Sequence, residues 1–347
     1  MNGSTKRPLA TAAALLAAAA LSIGVAACGG SGESTTAESS SGGALSSMTD
    51  ATLVLDFIPN GVHAGIYRAL EEGYYSENNI NLKIIQPTST ADTLKLIDAG
   101  KADFGIADGI DVGNQIVEGR DAKGVMALLE HPPGGLITLK KSGITDPKEL
   151  EGETVGITGV PSDTAILNTV VSDAGGNPEN INVVTIGFNG VQNLENEKVA
   201  AFTGFVPADG VQVEQNGNPI ESFPLDEWGG PSYPGLVVFS TQEKIMQDPA
   251  LMQAFVSATI KGYEETFKTP DKSIEDLVDA NPGINEELAK ATLSAYMPLF
   301  EGEGEYGEFE TKNIEALSKF MVENELAKSG FTPERYGTNE FVTGEEG

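Results

Sequence analysis

Short apolar runs alternate with helix-periodic segments from residue 51 onward, and this alternation is typical of an α/β protein. Such an order predicts parallel strands joined by right-handed helical crossovers, with ligands bound beyond the carboxyl ends of the strands. The elements predicted for this first unit are strand 51–57, helix 62–72 closed by Gly73, strand 80–85, a helix that carries Leu94 and Ile97 and ends at Gly100, and strand 104–107.

A second unit with the same order begins near Leu139. Strand 236–240 is expected to return to the first sheet, and the chain from 242 to about 328 is mostly helical, most clearly over 249–267 and 312–328. The elements predicted for the second unit are a short helix from Asp146-Pro147 to Leu150, strand 154–157, helix 164–174 begun by Pro161-Ser162-Asp163, strand 183–188 and strand 199–205.

Length and charge narrow the range of functions. The 347 residues exceed what one core usually organises and therefore favour two globular units. With 51 Asp and Glu against 21 Lys and Arg, the net charge is -30, which repels nucleic acid and anionic lipid surfaces. The same acidity is also expected from a chain adapted for solubility or for salt. The net charge therefore argues against nucleic acid and anionic lipid as partners but does not identify a ligand.

The first residues predict a targeting segment. Lys6 and Arg7 precede an apolar Ala/Leu run over 9–20 that is too short for a stable membrane span. Such a segment is removed from the mature protein, which places the folded part outside the cytoplasm.

The single cysteine follows this segment. The sequence VAAC at 25–28 resembles the lipobox of bacterial lipoproteins, in which the cysteine is lipidated and becomes the new N-terminus. Residues 1–28 are thus predicted to be a lipoprotein signal peptide and 29–48, rich in Gly, Ser and Thr, a flexible tether. This predicts a lipid anchor on Cys28 that holds the protein at the bacterial cell membrane. The alternative is an ordinary secretory signal with an unpaired cysteine.

Three segments carry a family resemblance: LDFIPNGVHAGIYRALEEGYY at 55–75, AGKADFGIAD at 99–108 and KELEGETVGITGVPSDTAIL at 148–167. Together they resemble the periplasmic-binding-protein family that includes the ThiY-type binders of thiamine pyrimidine precursors. The similarity covers roughly residues 51–265, and the first motif is the most specific because the fungal thiamine pyrimidine synthases share it.

The resemblance implies a two-lobed, type II periplasmic-binding-protein fold of the α/β class, each lobe a mostly parallel sheet flanked by helices. Lobe 1 would comprise residues 50–137 plus 234–340, and lobe 2 residues 138–233. Members of this family close on a small molecule and deliver it to an ABC permease with its ATPase. A monomer with no nucleic-acid partner is expected.

The opening motif supplies the first candidate ligand contacts: Asp56, Phe57, Asn60 and His63. Asn60 is placed to cap the following helix by accepting from the amide of Val62 or His63. His63 then lies in the first helical turn, where the helix dipole favours the neutral imidazole. Asp56 ends the strand and can accept from N–H groups of a ligand. A purely structural turn is the alternative interpretation of these residues.

The four arginines, at 7, 68, 120 and 335, do not fall at predicted strand ends, which favours a neutral or weakly basic ligand over a carboxylate or sulfonate. The exception is an anion held at the helix start near Ser162. A flat aminopyrimidine needs aromatic faces and polar edges. The further candidates for ligand contact are Asp108, Ser162, Asn189, Trp228 and Tyr233, with Trp228 favoured because it is unique and lies in the Gly/Pro-rich segment DEWGGPSYPG.

The resemblance leaves several functions open. Family members often have an aromatic-Trp-Asn-x-Glu-Gly pattern where this chain has FVPADG at 205–210, and the wider pocket this implies suits riboflavin as an alternative ligand. A second alternative is a pyrimidine-forming synthase, in which the histidine similar to His63 is consumed with pyridoxal phosphate. The synthases also carry a cysteine-rich metal motif that this chain lacks, so a binding protein without catalytic residues, metal or cofactor is expected. An alkanesulfonate receptor is the third alternative.

Overall fold

A computed structural model describes residues 45–344 of the chain. The predicted signal peptide, Cys28 and the tether up to residue 44 lie outside the described residues. No helix within 45–344 is both long enough and apolar enough to cross a bilayer. The strands are β1 Thr49–Val54, β2 Ile80–Ile85, β3 Phe104–Asp108, β4 Lys123–Leu129, β5 Gly134–Leu139, β6 Thr154–Ile157, β7 Asn182–Thr185, β8 Ala201–Phe205, β9 Ile220–Pro224 and β10 Leu236–Ser240.

Helices flank these strands. The helices are α1 Ala64–Glu71, α2 Tyr74–Glu77, α3 Thr90–Asp98, α4 Gly109–Val117, α5 Pro161–Asp173, α6 Gly190–Glu195, α7 Val211–Gln215, α8 Gln242–Gln247, α9 Pro249–Lys268, α10 Pro270–Ala280, α11 Glu286–Tyr296, α12 Thr311–Glu323, α13 Pro333–Tyr336 and α14 Glu340–Thr343. Two short turns matter for the site: the 3₁₀ turn Gly61–His63 and the π-helical turn Val206–Gly210.

The strands form two five-stranded sheets, one in each lobe, with the orders β2-β1-β3-β10-β4 and β7-β6-β8-β5-β9. In each of these orders the first three strands pair with one another in parallel. The fourth strand, β10 or β5, pairs antiparallel with both of its neighbours. Four of the five strands in each sheet run in the same direction, so the prediction of mostly parallel sheets is confirmed, and one antiparallel strand makes each sheet mixed. The physical reason is that β10 and β5 each arrive from the other lobe and insert in the opposite direction.

Two chain segments connect the lobes: residues 130–133 between β4 and β5, and residues 225–235 between β9 and β10. They pack against each other, since the amide of Gly235 donates to the carbonyl of Leu129 over 2.9 Å and His131 Nδ1 lies 3.1 Å from Ser232 Oγ. Because β5 begins at Gly134 in the second sheet, residues 134–137 lie in lobe 2, and the predicted boundary at 138 is four residues late.

Helix α1, which follows the opening motif, is held by close packing on α9. A Cβ atom at Gly262 would lie 2.1 Å from the carbonyl oxygen of Gly65 and 2.6 Å from Cβ of Ala69, so the two helices approach to backbone contact. Tyr263 on α9 is fully buried and donates to the carbonyl of Val62 over 2.7 Å. This contact fixes the turn that precedes α1.

Gly262→Ala is expected to lower the free energy of unfolding by about 1–3 kcal/mol, because the added methyl group forces α1 and α9 apart. The measurement is urea denaturation followed by circular dichroism. Glu264→Ala, an exposed position on the same helix, is the control and should change stability by less than about 0.5 kcal/mol. Equal stability of the Gly262 variant and the wild type would contradict the close packing of these helices.

Candidate functional site

A cavity of about 60 Å³ lies between the two lobes. Its wall contains five aspartates and, among the residues that the structure describes, neither lysine nor arginine. Buried carboxylates without a counter-cation favour a ligand that donates hydrogen bonds or carries positive charge. The wall is formed by Asp56, Phe57, Thr90, Asp108 and Asp111 of lobe 1 and by Thr158, Val160, Ser162, Asp163, Ile166, Thr203, Gly204, Phe205, Ala208 and Asp209 of lobe 2.

The opening motif places Asp56 in this wall. Asn60 caps the 3₁₀ turn as predicted, because its side chain accepts from the amide of Val62 over 3.0 Å. The amide of Asn60 in turn donates to Nδ1 of His63 over 3.2 Å. Since Nδ1 accepts, the ring proton lies on Nε2, which donates to Oδ1 of Asp56 over 2.8 Å. The neutral histidine thus orients the carboxylate and leaves Oδ2 of Asp56 for another partner.

Asp111 joins the two lobes across the cavity. It lies on α4 of lobe 1, and its carboxylate accepts from both the amide and the hydroxyl of Ser162 in the first turn of α5, over 3.0 and 2.8 Å. The start of a helix favours negative charge, so this carboxylate occupies the anion-binding position of α5. Burial raises the pKa of Asp111 to about 7, although the two bonds from Ser162 oppose this shift.

Asp108 ends β3 and caps α4 by accepting from the amide of Ile110 over 2.8 Å. Its second oxygen accepts from the hydroxyl of the fully buried Tyr233 over 3.3 Å. Burial, and then the neighbouring charge of Asp111, raise the pKa of Asp108 well above its usual range. Asp108 therefore faces the cavity with both oxygens already engaged.

Asp163 is also fully engaged. Its Oδ2 accepts from the hydroxyl of Thr158 and from the amides of Gly159 and Val160, and its Oδ1 accepts from the hydroxyl of Thr203 over 2.6 Å. These bonds close the start of α5 and tie it to β8. The role of Asp163 in the cavity wall is therefore structural.

Asp209 lies in the π-helical turn that follows β8. Its Oδ2 accepts from the amide of Phe205 over 2.9 Å. Burial, and then the charge of Asp163, raise the pKa of Asp209 to about 6. Oδ1 of Asp209 has no hydrogen bond to any residue within 45–344, so lobe 2 offers one free carboxylate oxygen, as Asp56 does in lobe 1.

A wider groove of about 510 Å³ lies beside the cavity and also runs between the lobes. It shares Phe57, Ala208 and Asp209 with the cavity. At the boundary, Phe57 of lobe 1 meets Phe188 of lobe 2 edge to face, with ring centroids 4.5 Å apart. Phe57 lines both spaces, and Phe188 lines the groove.

Four of the predicted ligand contacts line the inner cavity: Asp56, Phe57, Asp108 and Ser162. Asn60 and Asn189 line the outer groove instead. His63 is fully buried and lies behind Asp56, so the expectation that its imidazole faces the crevice is wrong. Both of its ring nitrogens are used within the motif.

Tyr233 and Trp228 do not line the cavity either. Tyr233 supports Asp108 from behind. Trp228 packs edge to face on Phe223 of β9, with centroids 5.8 Å apart, and is partly buried against a hydrophobic cluster that contains residues of both lobes. The unique tryptophan thus lies outside both the cavity and the groove, because the Gly/Pro-rich segment around it covers an apolar surface.

Asp111, Thr203 and Asp209 also line the cavity, and none of them was predicted from the sequence. Asp111 lies four residues after the end of the predicted strand 104–107, and it could have been found had α4 been recognised. Asp209 lies in the segment FVPADG, which departs from the family pattern. An acidic residue in that segment was the sequence feature that could have indicated a polar cavity wall. No group of three or more His, Cys, Asp or Glu side chains within 45–344 is arranged to hold a metal ion.

The two mixed sheets with a cavity between them define the class of protein: this is the periplasmic-binding-protein fold. A solved structure with the same fold is the alkanesulfonate-binding protein SsuA from Xanthomonas axonopodis pv. citri, with a TM-score of 0.67 at 13% sequence identity, covering 84% of this chain and 97% of that one. At this identity the likeness concerns the fold alone.

The chain belongs to the NMT1/THI5-like family, whose sequence profile matches residues 60–273. A formylaminopyrimidine-binding protein from Halalkalibacterium halodurans is 26% identical over 275 residues, which cover 78% of this chain and 83% of that protein. A 4-amino-5-hydroxymethyl-2-methylpyrimidine phosphate synthase from Legionella pneumophila is 28% identical over 260 residues, which cover 74% of this chain and 82% of the synthase.

The raised pKa of Asp111 predicts that stability falls as pH rises. An ordinary Asp titrates near 3.8 and the folded-state pKa of Asp111 is about 7, so the folded protein binds the extra proton between these values. The stabilisation is complete below about pH 4 and is lost as pH rises through 7. The melting temperature of the ligand-free protein should therefore fall between pH 5 and pH 8, as measured by differential scanning calorimetry.

Asp111→Asn should reduce that fall, because the amide cannot ionise but can keep both bonds to Ser162. Asp173→Asn, at an exposed position, is the matched control and should keep the full fall. An equal fall in all three proteins would show that Asp111 does not titrate in this range.

Proposed function

We propose that this protein is the extracytoplasmic solute-binding lipoprotein of an ABC importer, and that its ligand is a thiamine pyrimidine precursor, formylaminopyrimidine or hydroxymethylpyrimidine. The observation that carries this proposal is the interlobe cavity walled by aspartates without a lysine or arginine among the described residues. The formylaminopyrimidine-binding relative supports the ligand class.

The free carboxylate oxygens fit the chemistry of an aminopyrimidine. Oδ2 of Asp56 and Oδ1 of Asp209 belong to opposite lobes, and both accept hydrogen bonds only. An exocyclic amine donates two hydrogen bonds and can satisfy such groups. A weakly basic ring also reduces the repulsion among the buried carboxylates, whereas an anion would increase it.

An alkanesulfonate is a poorer candidate despite the shared fold. The start of α5 is the natural anion site in this cavity, but Asp111 already binds the amide and hydroxyl of Ser162 there. A sulfonate would have to displace this carboxylate and then remain beside four further aspartates. The charge of the wall thus argues against this alternative.

The synthase alternative depends on a reactive histidine. His63 is fully buried, accepts through Nδ1 and donates through Nε2, so neither nitrogen is available to a substrate or cofactor in the cavity. This geometry supports a binding protein, although the relatives include synthases. In the proposed function His63 orients Asp56 and takes no part in chemistry.

Ligand entry requires the cavity to widen. Ligand sites usually enclose about 300–1,000 Å³, far more than the inner cavity of about 60 Å³. Separation of Phe57 from Phe188 would join the cavity to the groove and place an aromatic face on either side of a flat ring. Because the joined space also extends into the groove, riboflavin is the second candidate ligand.

Asp56→Asn is expected to weaken formylaminopyrimidine binding by about ten- to a hundredfold, because the amide keeps the bond from His63 but loses the charged acceptor. Isothermal titration calorimetry at pH 7 measures this change, with hydroxymethylpyrimidine, riboflavin and ethanesulfonate as comparison ligands.

Trp228→Ala is the control, since Trp228 lies outside the cavity and its removal should leave affinity unchanged. Tight binding by the wild type combined with unchanged binding by the Asp56 variant would remove this cavity as the site. Tightest binding of ethanesulfonate would replace the proposed ligand class.

The lipid anchor is a separate part of the proposal and rests on the VAAC sequence at 25–28. Expression of the full chain in a bacterium should place the mature protein in the membrane fraction with a diacylated Cys28, as read by mass spectrometry of the N-terminal peptide. Cys28→Ser should release the protein from that fraction. A membrane-bound serine variant would contradict lipidation at this residue.

A further inference from the structure

The outer groove offers more space than the inner cavity, about 510 Å³ against about 60 Å³. Ligand sites usually enclose about 300–1,000 Å³, so the groove is large enough to hold part of a ligand. It adjoins the cavity, since Phe57, Ala208 and Asp209 line both spaces. A substituent on a heterocycle in the cavity would therefore extend into the groove.

Elements of both lobes bound the groove. Helix α11 of lobe 1 packs on the turn Gly61–His63 and on α7 of lobe 2, and α6 packs on α7. The lobes are also tied by a hydrogen bond, because Nε2 of Gln215 donates to the carbonyl of Glu287 over 3.3 Å. The groove thus lies between helices that contact one another across the lobes.

The charges of the groove disfavour an anion. Its described wall contains two carboxylates, Glu195 and Asp209, and no lysine, arginine or histidine. Oε1 of Glu195 accepts from the side-chain amides of Asn216 and Asn218 over 2.8 and 3.1 Å. A phosphate ester in the groove would face these carboxylates without a counter-cation. The wall therefore favours a neutral substituent.

Side-chain amides are the commonest polar groups of this wall. Several are engaged locally: Asn189 donates to the carbonyl of Ile186 over 3.2 Å, and Asn285 accepts from the amide of Leu288 over 2.9 Å. In contrast, the side chains of Gln192 on α6 and Gln212 on α7 form no hydrogen bond with any residue within 45–344. The six amides of the wall belong to Asn60, Asn189, Gln192, Gln212, Asn216 and Asn285.

Free amides match hydroxyl groups. A glutamine side chain presents a donor NH₂ group beside an acceptor oxygen, and a hydroxyl both donates and accepts. Neighbouring hydroxyls of one sugar or polyol can therefore bond both ends of an amide. Phe57, Phe188 and Leu288 line the same groove and offer apolar faces to the carbon atoms of such a group.

We propose that the outer groove is a second subsite, which binds a neutral, hydroxyl-rich substituent of the ligand, a sugar or a polyol chain, through the amides of Gln192 and Gln212. The heterocycle occupies the widened inner cavity, and its substituent lies between α6, α7 and α11. This inference rests on the proposed function and extends its ligand class from the bare pyrimidine to heterocycles that carry a hydroxylated group.

Two matched pairs of ligands isolate the substituent. Riboflavin and lumiflavin share one ring system and differ by a ribityl chain against a methyl group. The O-glucoside and the O-methyl ether of 4-amino-5-hydroxymethyl-2-methylpyrimidine share the proposed pyrimidine. Isothermal titration calorimetry at pH 7 should give a Kd about tenfold lower for the hydroxylated member of each pair whose ring binds.

Gln192→Leu and Gln212→Leu each remove an amide without removing a hydrogen bond among the described residues. Each variant should reduce the tenfold preference to about threefold, and the double variant should abolish it, because each amide contributes part of the bonding. The Kd of the methylated member should not change.

Gln115→Leu is the matched control. Gln115 is a partly buried glutamine on α4 and lines neither the cavity nor the groove, so this variant should keep the tenfold preference.

Several outcomes overturn the inference. If the wild type binds both members of a pair equally well, or binds the methylated member more tightly, the groove is not a subsite for hydroxyl groups, whereas the proposed function stands as long as the pyrimidine binds. A double variant that keeps the full preference also overturns it. Binding of flavins alone, with riboflavin preferred, supports the subsite and replaces the pyrimidine as ligand. Wild-type protein that binds neither ring refutes the proposed function together with this inference.

Discussion

The structure depends on one constraint, the burial of aspartates from two lobes around a shared cavity whose described wall contains no cation. Three of them are satisfied within the protein: Asp108 by Tyr233 and an amide, Asp163 by four donors, and Asp111 by Ser162 of the opposite lobe. The remaining acceptor oxygens, one on Asp56 and one on Asp209, favour a partner that donates hydrogen bonds. The absence of lysine and arginine from the described wall therefore favours a ligand that donates hydrogen bonds.

The scaffold sets this wall through short, rigid turns. Asn60 and His63 close the turn after β1 so that Asp56 cannot rotate away, and the π-helical turn after β8 presents Asp209 from the other side. The chain enters β5 from lobe 1 through residues 130–133 and enters β10 from lobe 2 through residues 225–235.

Local features were predictable from sequence and tertiary ones were not. The Asn60 cap, β2, β6 and β10 follow from residues within a few positions, and the prediction agrees with the structure for each. Strands β4 and β5 were missed because they are buried on both faces and show no alternation. Trp228 was misassigned because composition does not reveal which surface a loop covers, and Asp111 meets Ser162 only after 51 residues of chain fold back.

The most direct test compares a basic pyrimidine with an anion of similar size in one instrument. Calorimetric titration at pH 7 of the ligand-free protein with 4-amino-5-hydroxymethyl-2-methylpyrimidine should give saturable 1:1 binding, and ethanesulfonate at the same concentrations should give none. Saturable binding of the sulfonate with no heat from the pyrimidine would contradict an acid-walled site for a hydrogen-bond-donating heterocycle.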